Sequence, residues 1–494
     1  FFMNKKEVLQ KIDLGNSIAE YDENISQYYI TTQSTLDLIN DRYDIIKGVK
    51  GSGKTAMLIA ICDNQSLYPQ LENKLLIKAI QLKGDPDFKR AFSTVSIKTS
   101  DIQKLIDAWK IYLINVIWKE CKELFSNYEN LESQLKKAGL LSGKKGILDN
   151  LIYSLKRVKF SFTNTFSPDG KTIQTVEVTP SDFNESQTPN DNANTLVDFN
   201  SIFSSLNELI INNSSCFWVM IDRLDDAFPD NTSTDTLILK SLFYAYKDIC
   251  GYSGFKIKIF IRDDIFKTIT LDKGFTSLTH ISAKTMNSIK WERDIIEQLL
   301  VERLLYNASF ADYVKAQGYP TTCKKLTPSE RLKILFLFIK PQIDVGSKNP
   351  DSIGWMINHV KDGNGIYTPR DIINILDKAR AFQLNQLNEK NEKDISESYL
   401  ISSNALRLAF AETSKEKLET QLFAEYPKCR KWIESFKDQK AEHTAESLAR
   451  ILGRNWKSRT EKLKEIGFLE EKNNSWKIPF IYREGLNVSQ GKAK

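Results

Sequence analysis

The chain has 494 residues, 41% of them hydrophobic and 27% charged, which is ordinary for a globular protein and allows two or three domains. Its 69 Lys and Arg nearly balance its 63 Asp and Glu, so the net charge of +6 does not by itself indicate a nucleic-acid partner. Six scattered cysteines and three histidines argue against a disulfide scaffold or a zinc site, and no apolar run approaches the roughly 18 residues that span a bilayer, so we expect a cytoplasmic protein without a membrane partner.

The stretch from Tyr43 to Cys62 is the most informative part of the sequence. It follows a lead-in of helical spacing at residues 4 to 40 and reads as a strand, a Gly/Lys loop and a helix. Within it, Gly48 to Thr55 satisfies the phosphate-loop pattern G-x-x-x-x-G-K-[ST]. The alternative is a Gly-rich surface turn that happens to end in Lys-Thr. The apolar runs on both sides favour the phosphate loop, because they supply the strand and the helix that it requires.

The residue types of this loop suit a triphosphate and a metal ion. Glycines let successive backbone N–H groups approach phosphate oxygens, Lys54 reaches the β- and γ-phosphates, and the Thr55 hydroxyl is a ligand for Mg²⁺. No guanine-specific N-K-x-D motif follows the core strands, which favours ATP. We therefore expect ATP and Mg²⁺ as cofactors, with nucleotide contacts from Gly48, Lys50, Gly51, Ser52, Gly53, Lys54, Thr55 and Ala56.

An insertion is predicted after the second strand, which spans Leu75 to Ile80. The pattern is helical from Ser100 to about Leu155, and Val158 to Val178 then alternates apolar and polar residues about a Pro-Asp-Gly turn, as a hairpin does. A polar run from Thr179 to Asn194 is typical of a loop or linker. Residues 100 to 200 thus read as an insertion into an α/β layer.

Carboxylates follow the predicted third strand. A helix from Ser201 to Asn212 leads to Cys216–Ile221, a continuous apolar run that suits a strand buried on both faces of a parallel sheet. Asp222 comes next, at the position where a phosphate-loop enzyme places its magnesium-linked acid. Asp225 or Asp226 can orient or deprotonate the attacking water, and the sequence does not separate them. The alternative is an acidic loop that caps a helix.

The fourth strand, Phe255 to Ile261, ends at Arg262. This arginine can sense or stabilise the γ-phosphate, or it can form an ion pair with Asp263 or Asp264. A short fifth strand is predicted at Leu278 to Ile281. The core is therefore predicted as a five-stranded parallel sheet with flanking helices.

The sequence becomes helical after the sheet. The helical spacing of apolar residues predicts a helix from Trp291 to Leu305. Its Arg293 and Arg303 are either trans-acting arginine fingers or solvated side chains. A capping box opens the next helix, Leu332 to Ile339. Arg370 stands at the start of a further helix, where it can project back onto the nucleotide.

The C-terminal segment has the outline of a winged helix. Helices are predicted at Ala445 to Ile451 and Trp456 to Ile466, and strands at Phe468 to Glu471 and Trp476 to Tyr482. The second helix and its approach are basic, so this helix can be a DNA recognition helix, or its charges can form the solvated face of an intramolecular domain. The basic residues are Arg454, Lys457, Arg459, Lys462 and Lys464.

These motifs together resemble bacterial AAA-like P-loop ATPases of the STAND/KAP kind, in particular stand-alone ones with a helical lid and a C-terminal winged helix. The resemblance rests on the phosphate loop, IDRLDD and IFIRDD at two strand ends, YTPRD at a helix start, and the tail IGFL...WKIPFIYREGL. It covers roughly residues 28 to 90 and 210 to 484. It implies a lead-in at 1–40, an ATPase core at 41–285 with the insertion at about 100–200, a helical lid at 286–400 and a C-terminal helical and winged-helix domain at 401–494.

The resemblance also implies roles for single residues. Lys54 and Thr55 would bind phosphates and magnesium, Asp222 would be the metal-linked acid, and Arg262 and Arg370 would be the first and second sensors. Asp226 takes the place of a catalytic acid that is usually Glu. Because Asp is shorter than Glu, and because Arg223 replaces a common Gly, we expect slow hydrolysis.

Proteins of this kind usually act as nucleotide-gated switches, and many act in defence against phages. The resemblance thus implies a homo-oligomer, or a switch that controls a separate effector protein. Two other hypotheses remain open: a DNA-binding regulator that holds nucleotide structurally, and a scaffold for an effector.

Overall fold

The computed structural model describes residues 4–79, 102–141, 197–227, 233–272, 274–275, 278–323, 326–389 and 398–493. The chain forms two compact units, each assembled from separate segments. The parallel-sheet unit comprises Gln33–Lys50 and Ile61–Ile289. The helix-rich unit comprises Phe1–Thr32, Gly51–Ala60 and Lys290–Lys494.

The parallel-sheet unit is built on four parallel strands. They are β1 (Ile45–Gly48), β2 (Lys74–Lys78), β3 (Cys216–Ile221) and β4 (Phe255–Arg262), in the spatial order β1-β4-β3-β2. All residues of β3 after the first are buried, as its continuous apolar sequence predicts for a strand covered on both faces. The sequence is therefore correct in predicting an α/β layer with a parallel sheet.

Helices are present where they are predicted after the phosphate loop and before β3. The helical pattern after residue 100 corresponds to two helices, whereas the hairpin Val158 to Val178 and the polar run Thr179 to Asn194 lie outside the described residues. The helices are Gln33–Ile39, Ile102–Leu124, Glu129–Lys137, Phe199–Asn212, Leu224–Ala227, Ser233–Ile249, Asp263–Lys267 and Leu278–Ser282, and Lys54–Asp63 is divided between the two units.

The predicted fifth strand at Leu278 to Ile281 is wrong, because Leu278–Ser282 is a helix. Its two apolar residues are three apart, which is helical spacing. Residues 284 to 286 lie beside the free edge of β1 instead. The Lys284 carbonyl accepts the N–H of Ile45 at 3.0 Å, and the Met286 N–H donates to the Ile45 carbonyl at 2.8 Å. The described residues thus hold four strands in this sheet, with one isolated parallel bridge at its edge.

The helix-rich unit has one hydrophobic core that runs from Val8 to Val488. It contains residues from the lead-in, from the predicted lid and from the C-terminal segment. The capping box at Thr327 is present, since its hydroxyl accepts the N–H of Glu330 at 3.3 Å and its own N–H donates to the Glu330 carboxylate at 2.8 Å. The helices are Lys5–Lys11, Arg293–Leu305, Ala308–Ala316, Pro328–Phe338, Ser352–Val360, Pro369–Glu389, Ser403–Glu416, Phe423–Glu425, Arg430–Glu434, Ala445–Leu452, Trp456–Glu465 and Phe480–Arg483.

A second, smaller sheet lies in the C-terminal segment. Its strands are β5 (Lys440–His443), β6 (Glu470–Lys472), β7 (Ser475–Lys477) and β8 (Ser489–Lys492), in the order β6-β7-β5-β8. The predicted turn joins β6 to β7 through Asn473 and Asn474, both with positive φ, as a tight hairpin requires.

The predicted strand Trp476 to Tyr482 is wrong beyond Lys477. Pro479 follows at the N-cap of a helix, Phe480–Arg483, and proline has no N–H with which to extend a sheet ladder. In the parts of the chain that the structure describes, no helix combines the length and the apolar character needed to cross a membrane.

Candidate functional site

The phosphate loop joins β1 to the helix Lys54–Asp63, so the predicted strand and helix are both present. Gly51 and Gly53 have φ of +82° and +89°, a left-handed conformation that glycine adopts readily and other residues do not. Left-handed residues that alternate with ordinary ones turn successive N–H groups toward one side, which creates an anion-binding concavity. The helix then places the positive end of its dipole beside Lys54, Thr55 and Ala56.

The start of the helix Pro369–Glu389 lies against this loop in the helix-rich unit. A Cβ atom added to Gly51 would lie 3.1 Å from the Thr368 hydroxyl and 3.2 Å from the Arg370 Cβ. Glycine is therefore favoured at position 51 by its backbone conformation, and a Cβ there would also be crowded. The structure thus brings Arg370 to the loop, where its Nε donates to the Ser17 carbonyl at 3.3 Å.

Trp291 contacts the loop as well. Its indole Nε1–H donates to the Ser52 carbonyl at 3.0 Å, and its Cζ2 lies 3.4 Å from the position of a Cβ on Gly53. Ser52 is 1% exposed, and its hydroxyl has no hydrogen-bond partner among the described residues. Sequence reasoning assigned Trp291 only to the start of a helix, because no local pattern links it to a loop more than 200 positions earlier.

The other predicted site residues lie at the carboxyl edge of the parallel sheet. Gly48 pairs with Arg262 across β1 and β4, and Ile221 pairs with Ile259 across β3 and β4. Because β4 lies between β1 and β3, Arg262 ends the strand that separates the phosphate-loop strand from the strand that leads to Asp222. Parallel strands present all their carboxyl ends at one edge, where α/β sheets bind ligands.

Asp222 follows β3 directly and is buried, with 5% of its surface exposed. Arg223, next in the chain, has φ of +59°, so the backbone turns sharply there. Asp225 lies in the short helix Leu224–Ala227, while the side chain of Asp226 lies outside the described residues. The structure therefore places Asp222 at the end of its strand. It does not separate Asp225 from Asp226 as the acid that would orient the attacking water.

Arg262 forms the ion pair that was one of its two predicted alternatives. Its Nε and Nη2 donate to the Asp264 carboxylate at 3.0 Å and 2.7 Å. Its Nη1 lies 3.7 Å from the carboxylate of Asp225, whereas Asp263 accepts a hydrogen bond from Ser288. Arg262 thus joins the ends of β3 and β4, and a role toward a γ-phosphate stays a prediction.

Arg293 is exposed and Arg303 is buried, and both form ion pairs. Arg303 is buried against Asp22 at 3.1 Å, and its guanidinium lies 4.5 Å from the centre of the Tyr28 ring. Arg293 donates to Glu297 at 2.6 Å and also pairs with Asp351. Both arginines therefore hold the helix-rich unit together.

Three basic residues of the helix Trp456–Glu465 have polar partners within the C-terminal segment. Lys462 pairs with Glu465 at 2.9 Å, and Lys464 pairs with Glu461 at 3.1 Å and with Glu471. Arg459 donates to the Leu452 carbonyl at 2.6 Å. Arg454 and Lys457 are exposed. This distribution agrees better with a solvated face than with a DNA recognition helix.

The loop fits a nucleotide on its own geometry: two left-handed glycines, a buried serine hydroxyl without a partner among the described residues, and a helix start. Lys54 and Thr55 would hold the phosphates and a magnesium ion, and the role of Asp222 toward that ion stays a prediction. Among the described residues, no group of three His, Cys, Asp or Glu side chains could hold a metal. Magnesium bound by one or two protein ligands, phosphate and water does not require such a group.

Comparison with models of known protein families gives no match, and comparison with curated protein sequences gives none either. A function for the chain therefore rests on the phosphate loop, on the strand-end residues and on their neighbours.

Proposed function

We propose that this protein is an ATP-binding, Mg²⁺-dependent, AAA-like P-loop ATPase that acts as a nucleotide-gated switch. The observation that carries the proposal is the phosphate loop itself. It follows a parallel strand, opens a helix, has two left-handed glycines and lies against the helix start that bears Arg370. A Gly-rich surface turn would not require glycine for close contact with another helix.

The residues of the site divide into binding and hydrolytic roles. Backbone N–H groups of the loop and Lys54 bind the phosphates, and Thr55 with Asp222 binds magnesium, which neutralises charge on the phosphate oxygens. Asp225 or Asp226 orients the attacking water. Arg262 and Arg370 sense the γ-phosphate. Hydrolysis is slow because Asp226 is shorter than the usual Glu, and because Arg262 is already bound to Asp264.

A chain of contacts supports the switch. Asp371, next to Arg370, is buried; it accepts a hydrogen bond from Thr368 at 2.8 Å and pairs with Lys417 at 2.8 Å. A triphosphate that engages Arg370 would therefore act on the C-terminal segment of the same unit through one buried carboxylate. An ADP complex lacks the γ-phosphate that this arginine would contact.

The proposal also includes a fifth strand, a winged helix and the partners of the protein. The edge segment beside β1 supports a fifth strand of a P-loop sheet, and the order β5, two helices, β6 and β7 supports a winged helix. By analogy with the family that the sequence resembles, the switch is cytoplasmic, forms a homo-oligomer or controls a separate effector, and acts in bacterial antiphage defence.

Phosphate release and ATP binding test the proposal in the wild type, Lys54→Ala and Asp226→Ala. We expect Lys54→Ala to lose both, and Asp226→Ala to bind ATP but to release phosphate at least tenfold more slowly. Lys348→Ala, which removes an exposed lysine elsewhere in the helix-rich unit, is the matched control and should change neither. Equal phosphate release from all four proteins would contradict a hydrolase.

A DNA-binding regulator with a structural nucleotide site is the second candidate. The exposed Arg454 before the helix Trp456–Glu465 and the exposed Lys457 within it favour this candidate, whereas the ion pairs of Lys462 and Lys464 count against it. Duplex DNA binding that weakens steeply with salt, and that is lost when Lys457, Arg459 and Lys462 are neutralised together, would support this candidate. Binding that persists in that variant would exclude the helix as the DNA contact.

A further inference from the structure

The hydrogen bond from Trp291 to the phosphate loop acts on a single peptide group. The indole Nε1–H donates to the Ser52 carbonyl at 3.0 Å, and both residues belong to the helix-rich unit. That carbonyl shares its peptide plane with the N–H of Gly53. A trans peptide directs its C=O and its N–H to opposite sides. The bond from Trp291 therefore also sets the direction of the Gly53 N–H, away from the indole.

Nothing in the local sequence would hold this peptide by itself. Gly53 has φ of +89°, and glycine reaches positive and negative φ at similar cost, so the Ser52–Gly53 peptide can turn over easily. The Ser52 hydroxyl is buried and has no partner among the described residues, so no hydrogen bond from it within the described part of the chain fixes the turn. The indole is a donor and not an acceptor, so it pairs with the carbonyl and would not pair with an N–H turned toward it.

We propose that Trp291 is a positioning residue that holds the Gly53 N–H in the direction from which it binds phosphate. The inference rests on the proposed nucleotide site and names a residue that controls it. Trp291 fixes one donor of the anion-binding loop through the carbonyl of the same peptide. The indole ring adds a steric limit, because its Cζ2 lies 3.4 Å from the position of a Cβ on Gly53.

Loss of the indole donor should weaken phosphate binding more than it weakens the fold. In Trp291→Phe the peptide samples both orientations, and one of them presents a carbonyl oxygen to the phosphates. Loss of one charge-assisted hydrogen bond corresponds to about a ten- to hundredfold loss of affinity. The bond to phosphate exists in the ground state and in the transition state, so KM should rise and kcat should change by less than about twofold.

Trp355 offers a matched control. Its indole donates to the Asp344 carboxylate at 2.9 Å within the same unit, and it contacts His359 rather than the loop. The test is calorimetric titration of the wild type, Trp291→Phe and Trp355→Phe with Mg²⁺ and a non-hydrolysable ATP analogue, alongside their melting temperatures. We expect a loss of affinity of at least tenfold in Trp291→Phe and of less than about threefold in Trp355→Phe. Benzothienylalanine at position 291, which keeps the ring shape without the N–H, should reproduce the loss.

Two results with the phenylalanine variants would overturn the positioning role: affinity within threefold of the wild type in Trp291→Phe, or an equal loss in Trp291→Phe and Trp355→Phe. Wild-type affinity in the benzothienylalanine protein would also overturn it, because the ring alone would then suffice. Lys54→Ala separates this failure from failure of the nucleotide site. If Lys54→Ala binds the analogue as tightly as the wild type, the site itself is contradicted, and the role of Trp291 with it.

Discussion

Two buried charged side chains, one in each unit, are held by partners of opposite charge. Lys258 is fully buried on β4 and donates to Asp44 at 2.7 Å and to the Tyr43 carbonyl at 2.9 Å. Arg303 is buried in the same way against Asp22. An unpaired buried charge costs several kcal/mol, so a buried arginine with a carboxylate partner is more simply explained as structural than as a group reserved for a neighbouring subunit.

His359 gives a pH-dependent prediction at the residue scale. It stacks on Trp355 with ring centres 3.8 Å apart, its Nδ1 lies 2.8 Å from the Trp355 carbonyl, and burial lowers its pKa. Arg483 also lowers this pKa, while the Trp355 carbonyl and Asp344 raise it. The unfolded chain therefore binds a proton at His359 more readily than the folded chain does. The stability that the neutral imidazole contributes is complete above pH 6.5 and is lost as the pH falls below that value.

The measurement is thermal unfolding of the wild type and of His359→Phe between pH 7.5 and 5.5. His359→Phe keeps the aromatic stack and should reduce the slope of stability against pH. Some slope should remain, because burial lowers the pKa of His443 too. Each histidine can contribute at most about 1.4 kcal/mol per pH unit. Identical slopes in the two proteins would show that His359 is protonated equally in the folded and unfolded states.

At the scale of elements, the sequence predicted those strands and helices whose signals are local. The strand Cys216–Ile221 has the predicted bounds, since six apolar residues in a row are buried on both faces, and the Thr327 capping box stands where predicted. β5 and β8 have polar sequences and exist because they pair with other strands, so no periodicity reveals them.

The candidate site divides in the same way. The phosphate loop and Asp222 can both be recognised from motifs of a few consecutive residues, and both lie at strand ends. The approach of Arg370 to the nucleotide loop was predicted from its position at a helix start and from a family resemblance, but its contact with Gly51 was not. The bond from Trp291 to Ser52 joins residues far apart in the chain, and one aromatic residue at a helix start carries no signal for it. Long-range contacts of this kind require the fold.

The contact between Gly51 and the helix Pro369–Glu389 can be tested with a second glycine. Gly51 and Gly365 have φ of +82° and +74°, but no described atom outside Gly365 and its two chain neighbours lies within 4 Å of a Cβ built on Gly365. Gly365→Ala should lower the free energy of unfolding by about 1–2 kcal/mol through backbone strain alone. Gly51→Ala adds crowding with Thr368 and Arg370, so it should also weaken ATP binding by about tenfold or more.

Urea denaturation and calorimetric titration of both alanine variants separate the two effects. A similar loss of stability together with a loss of affinity confined to Gly51→Ala would support the loop–helix contact as part of the nucleotide site. Equal ATP affinity in the wild type and Gly51→Ala would mean that the contact between the loop and the helix can be deformed without a change in nucleotide binding.

At the scale of the whole molecule, the helix-rich unit combines the phosphate-loop segment Gly51–Ala60 with the C-terminal half of the chain. Its core is continuous from the lead-in to Val488, so the predicted lid and the C-terminal segment do not have separate hydrophobic cores. The pair between Asp371 and Lys417 joins the helix that bears Arg370 to the segment that follows Ser403–Glu416. Packed elements of one unit therefore connect the loop with the C-terminal segment.

This continuity leads to a prediction about assembly. If ATP gates a switch, the native mass with Mg²⁺ and a non-hydrolysable ATP analogue should exceed the mass with Mg²⁺ and ADP, because only a triphosphate supplies the γ-phosphate that Arg370 would contact. Light scattering after size exclusion measures both states at the same protein concentration. Arg370→Ala should bind the analogue yet keep the ADP-state mass, whereas Lys54→Ala should show that mass because it binds neither nucleotide. One mass in every state would contradict nucleotide-gated self-assembly and would favour control of a separate effector.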